Sequence, residues 1–495
     1  MTFQRSSGIL LHPTSLPGPD GIGDLGPEAF HWIDFLDQCG CRLWQILPLG
    51  PTGYGDSPYQ CFSAFAGNPF LISPLLLLDQ HLLKPSDIED RPAFPDQKVD
   101  FGPVINWKIT LLDRAFGHFC KDKLPAIKKA YETFITNESG WLQDFALFMA
   151  IKEAQGGVSW EHWPEELRKR EPAAFEKFAS HHKQEIEKQK FRQFLFFQQW
   201  QQVRDYAHQK NIQIIGDIPI FVAFDSADAW AHPELFHLDE NCLPTCVAGV
   251  PPDYFSPTGQ LWGNPLYRWE VHKAQGYAWW IDRIRSVLKS VDIIRLDHFR
   301  GFAGYWEIPA GSPTAEIGKW KKGPGKAIFK AIEAEFHSLP ILAEDLGEIT
   351  PDVVELRDSL NLPGMKIMQF AFSTDSDDPF LPHNYSKNCV VYTGTHDNDT
   401  TLGWYRSAPE IERDFCRRYL ARSGDDISWD LIRAAWSSTA MFAIAPLQDF
   451  LSLGTESRMN YPGKPAGNWG WRFLSGDLTD WLAARITETN TLYSR

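Results

Sequence analysis

The chain has 495 residues, 43% hydrophobic, 22% charged and 14% aromatic, with 20 tryptophans and a formal net charge of −15. That is the make-up of a globular protein with a large core. The acidic balance argues against nucleic-acid and anionic-membrane partners, which need basic surfaces, and suits a neutral substrate.

From the N-terminus, "MTFQRSSGILLHPTS" has an apolar run of only Ile9, Leu10 and Leu11, too short for a secretory h-region. "SGILLHPTSLPG" (7–18) instead reads as a first buried strand running into a polar loop. "PEAFHWIDFLDQCG" (27–40) reads as a helix, with Pro27 at its start and Gly40 past its end. "CRLWQILPLGPTGYGDSPYQ" (41–60) is a second strand and a glycine-rich loop. The most apolar stretch, "FLISPLLLLDQHLL", is broken by Pro74 and Asp79 and cannot span a bilayer. The expectation is a cytoplasmic protein.

Residues of approximately 71–205 carry mostly helical patterns, among them "WLQDFALFMAIKEAQ" (141–155) and "FRQFLFFQQWQQVRDYAHQK" (191–210), and read as a helical insertion subdomain. Strands return at "IQIIGDIPIFVA" (212–223), "VDIIRLDHFRGF" (291–302), "PILAEDLGEIT" (340–350), "GMKIMQFAFS" (364–373) and "CVVYTGTHDNDT" (389–400). Between them lie helices such as "AWWIDRIRSVLKS" (278–290) and "DVVELRDSLN" (352–361). After about residue 405 the pattern is helical again, through "AMFAIAPLQDFLSLG" to a final helix in "LTDWLAARITETNTLYSR". Nothing at the C-terminus reads as a β-sandwich domain.

Continuous apolar strands alternating with helices imply a parallel sheet with right-handed crossovers. Seven clear strands and one unclear one fit a single (β/α)8 TIM barrel spanning 1–495. The alternative, a doubly wound sheet, finds no GxGxxG or Walker loop in its favour. The eight cysteines are scattered without a CxxC pair and read as free thiols, with a local Cys242–Cys246 disulfide or half a metal site as the alternative.

Apolar runs repeatedly deliver an acid to their C-terminal end: Asp217 after "IIG", Asp297 after "IIRL", Glu344 and Asp345 after "PILA", Asp397 after "VVYTGTH". In a parallel barrel these ends share one face, where such enzymes keep their sites. A single acid there is commonly a helix cap or a loop ion pair. Acids converging from four strands are costly unless they serve chemistry or are compensated. Paired carboxylates suggest glycoside chemistry, one as nucleophile or base and one as a proton donor with a raised pKa. Arg295, two residues before Asp297, projects to the same inner side of its strand and would hold it ionised. His298 and His396 adjoin Asp297 and Asp397 as possible sugar-hydroxyl donors. No HxH or HExxH gathers metal ligands. There is no GxSxG elbow and no phosphate-binding glycine loop. The expectation is therefore catalysis with no metal and no cofactor.

"GDIPIFVA", "IIRLDHFRGF", "ILAEDLGEIT" and "TGTHDNDT" resemble the four signature regions of the α-amylase clan. Further stretches resemble one branch closely: the 4-α-glucanotransferases, or amylomaltases, of glycoside hydrolase family 77. They are "GILLHPTSLPGPDGIGDLG", "LPLGPTGYGDSPYQCFSAFAGNPFLI", "GVPPDYFSPTGQLWGNPLYRW", "FLPHNY" and "RMNYPG…NWGWR". The resemblance spans nearly the whole chain, more loosely over 75–200 and 405–455. It implies a retaining double displacement. Asp297 matches the nucleophile, Glu344 the general acid/base, and Asp397 the third acid, which stabilises the oxocarbenium-like transition state. The two principal carboxyls would then lie about 5–5.5 Å apart. Arg295, His396 and Asp217 match flanking site residues. Phe370, in "QFAF", falls beside the family's site, although its acidic neighbours are hard to align within "STDSDD".

Aromatic loops 249–269 and 455–473 are expected over the cleft. They offer Asp253, Tyr254, Phe255 and Trp262 from one side and Asn460, Pro462, Asn468 and Trp469 from the other. Tyr54 and Tyr59 offer a further platform. The implied substrates are maltooligosaccharides or starch- and glycogen-derived α-1,4-glucans. Rival readings are an α-1,4-glucan hydrolase using the same acids and a non-catalytic glucan-binding protein.

Overall fold

The computed structural model describes residues 3–252, 256–373, 375–464 and 466–495. Asp253, Tyr254 and Phe255, offered above as cleft residues, lie outside them. Among the described residues, twelve strands form two sheets. They are β1 (Ser6–Leu10), β2 (Leu43–Gln45), β3 (Gln213–Pro219), β4 (Cys246–Val250), β5 (Gln260–Pro265), β6 (Ile293–Asp297), β7 (Gly304–Pro309), β8 (Lys319–Lys322), β9 (Ile341–Ala343), β10 (Gly364–Ile367), β11 (Cys389–Tyr392) and β12 (Phe442–Pro446). Eight of them pair in parallel in the order β10-β11-β12-β1-β2-β3-β6-β9. The seam between β9 and β10 is closed by the Ala343 N–H donating to the Pro363 carbonyl (2.9 Å). Beside it, the Met365 N–H donates to the Asp345 carboxylate (2.7 Å). This is the (β/α)8 barrel that the sequence predicts.

Two features differ from the sequence-based expectation. The eighth barrel strand, β12, lies in "FAIAP", inside the stretch that reads as helical. A five-residue apolar run flanked by helices is ambiguous by periodicity alone. The second difference is a four-stranded antiparallel sheet, β5-β4-β7-β8. Its β4 and β5 occupy much of the 249–269 stretch expected as loop.

Strand parity sorts the barrel wall. Leu43, Ile215, Ile293, Leu342, Ile367 and Phe442 pack together inside. Their chain neighbours Trp44, Ile214, Ile294, Ile341, Met368 and Ala443 join the core beneath the surrounding helices. Two further steps along β3 and β6 the inner positions become Asp217 and Arg295, so the greasy floor gives way to a charged upper layer.

The long connection from β2 to β3 includes the helices Phe101–Lys121, Leu142–Ala154 and Lys183–Gln209. The last is the aromatic helix of the sequence, and it begins earlier than its pattern suggests. Phe191, Phe194, Leu195, Phe196, Trp200 and Val203 are buried in it. So are three glutamines, two of which bond the backbone of the 46–73 loop. Gln193 Nε2 donates to the Gly67 carbonyl (2.9 Å) and its Oε1 accepts from the Gly67 N–H (2.7 Å). Gln199 does the same at Ser73, at 3.2 and 2.7 Å. These two clamps fix the 46–73 loop that reaches over the barrel mouth. Gly67 is required here, because a Cβ would lie 1.9 Å from the Phe196 ring.

Gln193→Leu strands two buried backbone groups, each worth about 1–3 kcal/mol when left unpaired. It is expected to lower the unfolding midpoint in urea well below wild type. Gln201→Leu, on the exposed side of the same helix, should stay within about 0.5 kcal/mol. Equal midpoints for the two variants would refute the clamp.

Candidate active site

The site is built at the carboxyl ends of β3, β6, β9 and β11. Arg295, 3% exposed, sits at its centre. Its guanidinium pairs with the Asp217 carboxylate through Nη1, and the same nitrogen lies 3.1 Å from Asp297 Oδ1. Nε faces the Met365 sulfur at 3.3 Å. The Tyr59 hydroxyl donates to Asp217 at 2.6 Å. Arg295 thus balances two inward-facing acids, as the strand parity predicts.

Glu344 leaves the end of β9 and is held by backbone. Its Oε2 accepts from the His298 N–H at 2.6 Å and its Oε1 from the Leu346 N–H at 2.9 Å. His298 adopts a left-handed conformation (φ 52°) just past β6, which turns its amide toward Glu344. Burial, reinforced by the neighbouring Asp297, pushes the Glu344 carboxyl up to about 7 despite Arg295 and the two N–H donors. Burial raises Asp297 too, against the pull of Arg295. Only Asp297 is in direct contact with the guanidinium, so a proton shared by the two acids resides on Glu344.

Asp397 is handled differently. Its Oδ2 is 3.2 Å from His396 Nε2, and its Oδ1 accepts from Asn460 Nδ2 at 2.6 Å. Burial alone would raise its pKa, but the His396 cation and these hydrogen bonds bring it below the usual carboxylate range. His396 rises correspondingly: burial opposes its charge, and Asp397 more than restores it. Tyr59 stacks on the His396 ring (centroids 5.1 Å, 13°) and tilts against Trp469 (5.9 Å).

The cleft above these groups encloses about 320 Å³, and Tyr59, Trp262, Asp297, Asp397, Pro462 and Trp469 line it. Trp262, from β5, meets the His298 ring edge-on at 4.8 Å. Burial drives the His298 pKa down to about 3, so its imidazole is neutral.

The structure therefore brings together Asp217, Arg295, Asp297, Glu344, His396 and Asp397, with Tyr59 and Trp262. Other expected residues stand elsewhere. Tyr54 is 77% exposed and does not line the cleft. Phe370 lies against Phe380 at 5.6 Å. The Asn468 side chain is spent within its own loop, accepting from the Tyr461 N–H and donating to the Lys464 carbonyl. Asp345, next to Glu344, turns away to pair with Arg357. Two contributors escaped sequence reasoning. Arg458 donates to the Asp397 carbonyl at 2.6 Å, and nothing in "SRMNYPG" distinguishes it. The N–H groups of His298 and Leu346 are backbone atoms, which no residue type reveals.

Fold and site define the class, a (β/α)8-barrel enzyme with a carboxylate acid–base centre. The sequence profile of a family described as 4-alpha-glucanotransferase matches residues 11–478. The 4-alpha-glucanotransferase of Thermus thermophilus is 52% identical over 494 residues, 98% of either chain. The chloroplastic/amyloplastic 4-alpha-glucanotransferase of Solanum tuberosum is 46% identical over 99% of this chain and 87% of its own. The solved amylomaltase from Streptococcus agalactiae in complex with acarbose matches at a TM-score of 0.97 and 39% identity, over 99% of this chain and 100% of that one. The chain belongs to the 4-α-glucanotransferase family, glycoside hydrolase family 77.

The perturbed Glu344 carries a stability signature. An unfolded chain ionises this residue near pH 4.5, whereas the folded site keeps the proton to about 7. Stability is therefore lost as pH rises across that window and stays lost above it. Glu344→Gln removes the loss. Its melting temperature relative to wild type should be more favourable at pH 8 than at pH 4.5, measured by calorimetry. An identical difference at both pH values would contradict the raised pKa.

Proposed function

We infer that the chain is a 4-α-glucanotransferase, transferring a segment of an α-1,4-glucan to the 4-hydroxyl of another glucan or of glucose by double displacement. The observation that carries this is the contrast between neighbouring acids, an Arg295-paired Asp297 and a Glu344 protonated near neutrality, in a member of family 77.

In the first step an Asp297 oxygen attacks the anomeric carbon. The bond from that carbon to the bridging oxygen breaks, and Glu344 gives its proton to the departing oxygen. A covalent glucosyl-enzyme and a shortened glucan result. In the second step the Glu344 carboxylate takes the proton of an acceptor 4-hydroxyl. The acceptor oxygen attacks the anomeric carbon and releases Asp297. Asp397, anionic beside His396 and Asn460, lies opposite as a fixed charge for the oxocarbenium-like transition state. The aromatic edges of Trp262, Tyr59 and Trp469 favour a sugar's apolar faces, which water lacks, and so support transfer over hydrolysis. The substrates are maltooligosaccharides or larger α-1,4-glucans. No described helix is long and apolar enough to cross a membrane, which fits the cytoplasmic location proposed.

Incubation with maltotriose alone tests the reading. Oligomers longer than the substrate should appear together with glucose, with little net gain in reducing ends. Reducing ends that climb without any longer oligomer would assign the chain to the hydrolases. Asp297→Asn should lower turnover by more than about 10³-fold while glucan binding persists. Near-normal turnover would remove Asp297 from the nucleophile's role.

A further inference from the structure

One buried cation has no part in the steps above. Arg300, 7% exposed, lies in the short helical turn Phe299–Phe302 that follows β6. Its guanidinium carbon lies over Trp320, 3.9 Å from the ring centre. Nη1 donates to the Glu348 carbonyl at 2.6 Å, and Nη2 is 3.4 Å from Thr350 Oγ1. Burying a guanidinium is expensive unless its donors are used. Here both hydrogen-bonded donors reach the same segment, the one that carries Glu344 out of β9.

That segment is held at its start and at its end. At the start, residues 298 and 299 grip the acid. The His298 N–H bonds the Glu344 carboxylate, and the Phe299 N–H bonds the Glu344 carbonyl at 3.0 Å. At the end, Arg300 grips residues 348 and 350, just before the helix Pro351–Ser359. Between the two grips lie Gly347, in a left-handed conformation at φ 84°, and Leu346, whose N–H holds the other carboxylate oxygen. A glycine hinge beside that donor makes its aim depend on the far anchor.

We propose that Arg300, braced by Trp320, is a positioning residue for Glu344: it clamps the 346–350 segment so that the Leu346 N–H stays on the acid's carboxylate. This rests on Glu344 being the general acid/base. It also gives the antiparallel sheet a purpose. The sheet touches residues 298–300 at two places, with Trp262 of β5 against His298 and Trp320 of β8 against Arg300.

Arg300→Met keeps an apolar chain against Trp320 and removes the donors. For maltotriose disproportionation kcat should fall roughly 10- to 100-fold, the effect of a slightly misplaced catalytic group. KM should stay within about twofold, because Arg300 does not line the cleft. The alkaline limb of kcat/KM reports the protonated Glu344. Losing an N–H bond to the anion disfavours ionisation, so this limb should move up by about one pH unit. The charges facing Glu344 are Asp297 and Arg295 of β6, and those around Arg300 are Glu348 and Asp352. All four are left in place. Arg300→Lys, which can still reach the Glu348 carbonyl, should recover part of the rate. Trp320→Leu, at a half-exposed edge position, tests the brace if Arg300→Met folds poorly, and should shift the limb in the same direction. An unmoved alkaline limb with unchanged kcat in either folded variant overturns the proposal. So does a change confined to KM. Full activity of Glu344→Gln would instead overturn the assignment of the acid itself.

Discussion

Everything at the mouth of this barrel is arranged around one buried cation. Arg295 contacts Asp217 and Asp297, and Tyr59 ties in through Asp217. Two acids on neighbouring strands would repel across a dry interior. Removing one partner of such a buried cluster typically costs about 3–5 kcal/mol, because a charge is left uncompensated. Net stability is therefore not what such a cluster supplies. Its value is that it sets geometry and charge together, since the same group contacts Asp297 and favours its anion against burial.

The other parts of the site solve a different problem, that of holding loops still. Strand ends place Asp217, Arg295 and Asp297 directly, but Tyr59, Trp262, Asn460 and Trp469 arrive on long excursions. Each excursion is tied down by polar groups bonded to backbone. Gln193 and Gln199 read the main chain of the 46–73 loop. Arg472, buried and without an acid partner in hydrogen-bonding contact, donates to the carbonyls of Leu16, Gly18 and Pro95, and so anchors the end of the 455–473 loop. Asn468 spends its amide on that same loop. Rigidity of this kind serves catalysis by fixing distances before substrate arrives.

The same distinction explains what the sequence makes legible. Barrel strands advertise themselves as apolar runs, and period-two spacing suffices to place Arg295 with Asp297 and to set His298 and Arg300 apart from them. The helices Pro27–Gln38, Ala278–Ser290 and Pro351–Ser359 follow from caps and periodicity. β12 escapes because five apolar residues carry no period. The antiparallel sheet escapes because "KWKK" and "QLWGNP" are an exposed edge and a glycine-bearing strand, without the buried signature. Among site residues, strand-borne charges are legible, whereas loop aromatics are not. Tyr54 and Tyr59 are five residues apart in one glycine-rich loop, yet only Tyr59 turns inward, and nothing in either side chain foretells it.

What remains is how one site keeps three acids in distinct states. Asp397 has a cation and an amide donor on its carboxylate oxygens, so it stays ionised. Asp297 has a guanidinium on one oxygen. Glu344 has two backbone N–H groups but no direct ion pair. Backbone dipoles favour the anion less than a full positive charge does. The identity of the donors, set against burial, orders the ionisation and puts the proton on Glu344, the acid proposed to give it away. In the double displacement proposed above, neutralising Asp297 as a glucosyl ester would remove the charge that reinforces burial in keeping Glu344 protonated. On that proposal the Glu344 pKa would fall, favouring a base at the moment an acceptor hydroxyl must be deprotonated, so that the formation and loss of one neighbouring charge drives the acid-to-base exchange between the two half-reactions.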